Sequence, residues 1–235
     1  MLKGPDSKTV QSPADDSARL WSLEVFGSAQ IPDVRLQRRL LHTATLLVNN
    51  PQVSVLQACG CPKNSKGTYR FWSNERVTEE GLKESVYQST ARQCEDLACI
   101  LVPQDTTALQ FKAVERIQGL GPISDNAHTR GLLLHSAIAL REDGTPIGVL
   151  HHQLWAREPQ SSGVSEKNPQ RPFEEKESFK WVQGMQGVRW ALETASRGGR
   201  KTPPGHPYSR SARGCLRSAA GHCSAWRRCR DSLPA

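Results

Sequence analysis

No run of eighteen apolar residues occurs in the 235-residue chain, so nothing in it reads as a membrane span. Met1 to Asp16 carries Pro5, Pro13 and three aspartates but no apolar core. That lacks the pattern of a secretory signal peptide and points to a cytosolic protein. Seven cysteines are present, yet none falls at a zinc-binding spacing. Cys59 and Cys61 are one residue apart with no matching pair downstream, and Cys215, Cys223 and Cys229 sit 8 and 6 residues apart beside His222. In a cytosolic chain they read as free thiols. Acids are scarce in one place only: Ser196 to Ala235 holds 9 Lys+Arg against 1 Asp+Glu. Met1 to Asp96 holds 12 against 11, and Leu97 to Ala195 holds 10 against 11. The net charge of +8 therefore lies entirely in the last forty residues. Total charge is then a poor argument for a nucleic-acid partner, and local arrangement has to carry that case.

What is present begins with 37% hydrophobic residues, enough for a core in one large or two small domains. The stretch Leu97 to Phe111 organises the rest. Ala98 to Val102 has the length and β-branched content of a buried strand, and it runs on to Asp105. A carboxylate at the C-terminal end of a buried strand is rigid and opens onto solvent, where a divalent metal can be held against a phosphate. The same Asp followed by Thr106 and Thr107 is equally the start of an ordinary turn.

Upstream, Ala18 to Ala29 reads as a short helix ending near Gly27. Asp33 then reads as the N-cap of a helix reaching about Asn50, where Asn49-Asn50-Pro51 breaks it. On that helix Leu36, Leu40, Ala44 and Leu47 form the expected buried stripe. Arg35, Arg38, Arg39 and His42 recur on the opposite face, with no acid among them. Such a face suits a phosphate backbone, and is equally a solvated helix surface. Val53 to Ala58 reads as a further helical piece, and Cys59-Gly60-Cys61-Pro62 as a turn. Lys66 to Asn74 mixes aromatic and basic residues, so that Tyr69 and Arg70 face DNA while Phe71 and Trp72 pack inside. A helix starts at Thr78 with Glu79 and Glu80 behind it, turning Leu82 and Val86 inward.

Downstream, Leu132 to Leu140 and Ile147 to Trp155 flank Asp143-Gly144, a β-hairpin signal. Both strands are apolar on both faces, which predicts a sheet covered on both sides. His151 and His152 are adjacent, so they point to opposite faces and cannot share a metal. Glu158 to Pro172 is loop-like. A helix is predicted over Phe173 to Ala195, with Glu174, Glu175 and Glu177 as helix-start charges and Phe179, Val182, Met185, Val188 and Leu192 at core spacing.

Several of these stretches, taken together, resemble a known family. They are Trp21 with Phe26-Gly27-Ser28-Ala29, Asp33-Val34-Arg35 with Arg39-Leu40, Thr68-Tyr69-Arg70-Phe71 with Asn74, and Gln104-Asp105-Thr106-Thr107. Gly119 to Ile123, Arg130-Gly131 with His135, Gly148 to His151, and Glu175 to Ser178 with Lys180-Trp181 complete the set. In this collinear order, over roughly residues 18 to 195, the chain is similar to the N-terminal part of a bacterial cut-and-paste DDE transposase of the composite-transposon insertion-sequence type. The resemblance implies an α/β architecture: a flexible N-terminus (1–17), a helical domain that binds transposon ends (18–96), and an incomplete ribonuclease-H-like catalytic domain (97–195). It implies double-stranded DNA bearing the terminal repeats as partner, an intact transposase as a dimer partner, and a place at the bacterial nucleoid. It also implies an Asp, Asp, Glu triad holding two Mg²⁺ ions that activate water and then a 3′-hydroxyl. Asp105 falls on the first triad position, as catalytic residue and metal ligand. Arg35, Arg39, Tyr69 and Arg70 fall on the end-binding segments, and Arg38 shares their helix face.

The departure comes after Ala195. The family continues into an apolar strand carrying the second aspartate, whereas Ser196 to Ala235 has no apolar run of strand length and one acid, Asp231. Its Arg, Gly, Ser, Pro and Cys content predicts disorder and suggests a frameshifted reading. Asp105 alone cannot hold two metals about 3.5–4 Å apart. The expectation is a DNA-binding chain that does not cleave. The alternatives are a regulator that occupies transposon ends or pairs with intact transposase, and a product that fails to fold.

Overall fold

The structure, a computed structural model, describes residues 13–111, 117–124, 129–157, 172–196 and 226–227. Two compact units divide the chain, residues 1–89 and 90–235, with the division inside one helix.

The first unit is helical. Helix α1 spans Pro13–Phe26 and α2 spans Val34–Asn49. Asp33 caps α2 as its sequence predicts: its side chain accepts the Arg35 N–H at 2.8 Å, meeting a donor that has no partner inside the helix. Leu40, Thr43 and Ala44 are the fully buried residues of α2, while Leu36 and Leu47 lie half-buried at the edges of the stripe. The threonine in this core is satisfied by another, Thr43 Oγ1 to Thr68 Oγ1 at 3.2 Å. Helix α3 spans Val55–Cys59, opened by a Ser54–Gln57 capping box and closed by Gly60 at φ 67°. Pro62 then opens α4, Pro62–Trp72, at the position where a missing N–H costs nothing. Phe71 is buried under α4, but Trp72 is 46% exposed, contrary to the expectation that both pack inside. Both lie on one helix, about 100° apart, so only one can point into a core on a single side.

Helix α5 spans Glu79–Gln93. Leu82 and Val86 are only half-buried; Gly81, Ser85 and Tyr87 to Ala91 are the buried positions.

The second unit is built on antiparallel strands: β1 (Leu101–Val102), β2 (Gln104–Gln110), β3 (Gly121–Pro122), β4 (Arg130–Leu140) and β5 (Pro146–Trp155). Leu101 pairs with Leu140 and Gln104 with Ala137, so β1 and β2 keep one register along β4. Pro103 divides them because it has no N–H to give the ladder. The expected hairpin is formed, with Gly144 at φ 85° where a side chain would be strained.

Helix α6, Phe179–Ser196, lies over β4 and β5. It starts later than the predicted Phe173: a single 3₁₀ turn, Phe173–Glu175, precedes it, and Lys176 is extended (φ −84°, ψ 144°). Its buried stripe is Gly184, Gly187, Val188, Ala191, Leu192 and Ala195, so of the predicted core residues Val188 and Leu192 are buried while Phe179, Val182 and Met185 are only half-buried. A Cβ at Gly184 would overlap the Gln104 side chain, and one at Gly187 would overlap the His151 ring. The missing side chains let polar groups of the sheet fill the helix–sheet contact.

Among the described residues, the coverage of both sheet faces expected from the apolar strands is incomplete. The face of β4 carrying Leu133, His135, Ala137 and Ala139 is buried, but Ile138 and Leu154 are 37% and 44% exposed.

Of residues 196–235, only Ser196 and the strand β6, Trp226–Arg227, are described. β6 pairs antiparallel with β1, Leu101 opposite Arg227 and Val102 opposite Trp226. β6 is the one described element of the stretch expected to be disordered, and the remainder of that expectation lies outside the described residues. So do Glu158 to Arg171 of the expected loop.

Candidate nucleic-acid interface

Helix α2 presents Arg35, Arg38, Arg39 and His42 along one side, at the spacing that stacks side chains above one another. Helix α4 faces them with Lys63 and Asn64, and together these six residues line an open groove of about 380 Å³. His42 Nε2 and Asn64 Oδ1 lie 3.1 Å apart and tie the two walls together. The Arg39 guanidinium reaches across to α4 and rests on Gly67. A Cβ there would lie 2.6 Å from Nη1, so only glycine leaves room for it. The groove is thus a product of two helices, and its α4 half, Lys63 and Asn64, is not marked by any charge run in the sequence.

Electrostatics favour an anion in this groove. Among the described residues no carboxylate forms an ion pair with Arg38, Arg39 or Lys63. The nearest acid by sequence is already engaged: Asp33 caps α2 and pairs with Arg76 at 3.3 Å. The Arg35 N–H, aided by the Arg76 charge, holds the Asp33 carboxyl below the usual carboxylate range. Guanidinium groups that keep their donors for an external acceptor can bind phosphate oxygens bidentately.

Tyr69 and Arg70, both expected at the DNA, lie exposed on α4. Lys63, Gly67 and Arg70 follow at i, i+4 and i+7, so Arg70 extends the basic side of the helix.

Asp105 lies elsewhere, in the second unit. It is exposed and is the second residue of β2, not the end of a strand; its register partner is Ser136, itself opposite His152. The strand-end placement is therefore corrected, because the ladder to β4 runs on through Gln110. Asp105 shares the sheet face opposite the buried His135. His151 sits on the buried side and His152 half-buried on the other, as adjacent strand residues must. Among the described residues no group of three or more His, Cys, Asp or Glu is arranged to hold a metal ion. One carboxylate beside a serine does not fit the donor set that a pair of Mg²⁺ ions requires.

A polar cluster unforeseen from sequence sits beneath α6. Glu177 is 2% exposed; Arg157 donates to both its carboxylate oxygens, at 3.0 and 3.2 Å, and Lys180 lies 3.5 Å away. It is a buried ion-pair centre, not the helix-start charge expected. Nearby, His135 is 1% exposed; its Nδ1 is 2.8 Å from Thr106 Oγ1 and its Nε2 3.1 Å from Gln104 Oε1. Burial, reinforced by the Lys180 charge and opposed by Asp105, pushes its pKa down to about 4. A neutral ring with its proton on Nε2 satisfies both contacts.

Residues 18–77 match a family described as transposase DNA-binding. The match takes in α1 from Ala18 onward and the whole of α2, α3 and α4, and both walls of the basic groove. Over these helices the chain is similar to a transposase DNA-binding domain, which supports a DNA-binding role for this part of it. No described helix is long and apolar enough to cross a membrane.

Proposed function

We propose that this chain binds the terminal repeats of a mobile element as a transposase of the bacterial DDE type does, and that by itself it does not cut them. The observation that carries the reading is the groove between α2 and α4, where Arg35, Arg38, Arg39 and Lys63 converge within the matched segment. Cations on facing helices span adjacent phosphates of a duplex better than a single row does, and they bind by displacing counterions. We read β1–β2, β4, β5 and α6 as the opening of a ribonuclease-H-like domain with Asp105 as its first carboxylate, a reading that their order along the chain supports. Strand transfer on Mg²⁺ needs further carboxylates converging on the same ions. Ser196 to Ala235 brings one acid, Asp231. On this reading the chain acts on transposition by occupying ends, alone or paired with an intact transposase.

The test is fluorescence anisotropy with duplexes carrying the parent element's terminal repeats, against scrambled duplexes of equal length. Preferential binding that weakens steeply with salt is the expected result. Equal affinity for both duplexes would remove end recognition, and absence of binding at low salt would remove the reading altogether. Incubation with a supercoiled donor plasmid and Mg²⁺ tests the second half, since nicking by the purified chain would overturn it.

A further inference from the structure

Trp72 is the one large residue of α4 whose position reverses the sequence expectation. It is 46% exposed, Tyr69 is 49% exposed, and their rings meet edge to face, with centroids 5.7 Å apart and planes at 88°. Two aromatic rings left in water on one helix cost solvation without entering a core. Their neighbours explain what could cover them. Going round α4 from the groove, Gly67 supports Arg39, Lys63 and Arg70 follow, Lys66 comes next, and Tyr69 and Trp72 complete the exposed arc. Through Lys66, one helical turn from Tyr69, the aromatic pair adjoins three exposed cations, Lys63, Lys66 and Arg70, with no acid among them. A protein partner with an apolar surface would have to bury those cations, whereas a nucleic acid presents anionic phosphates beside apolar base and sugar surfaces.

We propose that Tyr69 and Trp72 form an apolar wedge that contacts the bases and sugars of duplex DNA next to the phosphate-binding groove. The inference rests on the DNA-binding reading and adds to it a contact that is not ionic. Arginine and lysine contacts to phosphate lose strength with salt as counterions compete, but aromatic contact with bases does not. The wedge therefore supplies a salt-independent part of the affinity.

The experiment measures Kd by anisotropy for a fluorescein-labelled mixed-sequence duplex over a range of salt, using the full chain. Trp72→Ala and Tyr69→Ala are expected to weaken binding roughly tenfold at every salt concentration, with the slope of log Kd against log salt unchanged. Trp72→Phe should recover most of the loss. Lys63→Ala, by contrast, should reduce the slope by about one phosphate contact. Circular dichroism identifies any variant that has lost its helices; for such a variant Trp72→Gln replaces Trp72→Ala and the same outcomes apply. Unchanged affinity in a folded Tyr69→Ala/Trp72→Ala double variant overturns the wedge and leaves the groove intact. A loss accompanied by a reduced slope also overturns it, because the rings would then act only by placing cations. Failure of the unaltered chain to bind at low salt would overturn both readings.

Discussion

The Arg39 guanidinium lies on the bare Cα of Gly67, so that a glycine on one helix determines where a cation of another helix points. The contact couples the two walls of the basic groove. It also gives glycine a reason to stand within α4, where it weakens a helix by about 0.5–1 kcal/mol relative to alanine.

Stability and binding should consequently part company in Gly67→Ala. The obstructed atoms are the far end of a flexible side chain, so the fold can yield by moving Arg39. Thermal unfolding of this variant is expected to shift upward or stay level, reflecting the gain of about 0.5–1 kcal/mol in helix propensity. Affinity for duplex DNA should fall several-fold. A variant with unaltered affinity would show that Arg39 needs no support from α4.

Removing one partner of the cluster beneath α6 should be costly. Glu177→Ala leaves Arg157 and Lys180 facing a site from which their carboxylate has gone, and the expected loss is about 3–5 kcal/mol. Arg157 is 30% exposed at its side chain, which places the value toward the lower end of that range. Denaturant unfolding followed by tryptophan fluorescence reads it, because the Trp155 ring lies under Lys180 of the cluster.

Acid should act on His135 in a definite window. Its folded-state pKa of about 4 lies below its ordinary value of 6.5, so the unfolded chain binds the proton more readily. The associated stability is complete above pH 6.5 and is lost progressively as pH falls from there toward 4. The loss is on the order of 2–3 kcal/mol. A His135→Gln variant, which keeps polar contacts but cannot titrate, should show a flatter stability profile between those pH values. Equal slopes for the two proteins would mean that His135 titrates normally.

Asp33→Ala removes an N-cap and the ion pair to Arg76 together. Loss of the cap should lower the stability measurably, while the exposed pair adds little. Asp33→Asn keeps the cap and loses the charge, so it should retain most of the stability. If the two variants lose equally, the charge and not the cap is what Asp33 contributes.

Local chemistry was legible wherever a single segment decided it. The Asp33 cap, the Asn50 stop, the Asp143-Gly144 turn and the opposed faces of His151 and His152 all follow from residues within a few positions of one another. So did the row of cations on α2, because helical spacing alone brings Arg35, Arg38 and Arg39 together. The burial of a large residue was less legible: Phe71 and Trp72 have similar hydrophobic character, and only the direction of α4 against its neighbours selects Phe71.

Tertiary structure alone decided the remaining features, because each depends on two segments meeting. Lys63 becomes the wall of a groove, and Gly67 the support of Arg39, only when α4 lies beside α2. Glu177 becomes a buried acid only when Arg157 is brought to it across 20 residues. The strand through Asp105 continues past a proline only because β4 holds it in register on both sides. Sequence determines the chemistry each residue can offer and the local turn it prefers. Which groups are desolvated, and which remain free to meet a ligand, is settled by packing between segments, since burial belongs to a residue's neighbours as much as to the residue itself.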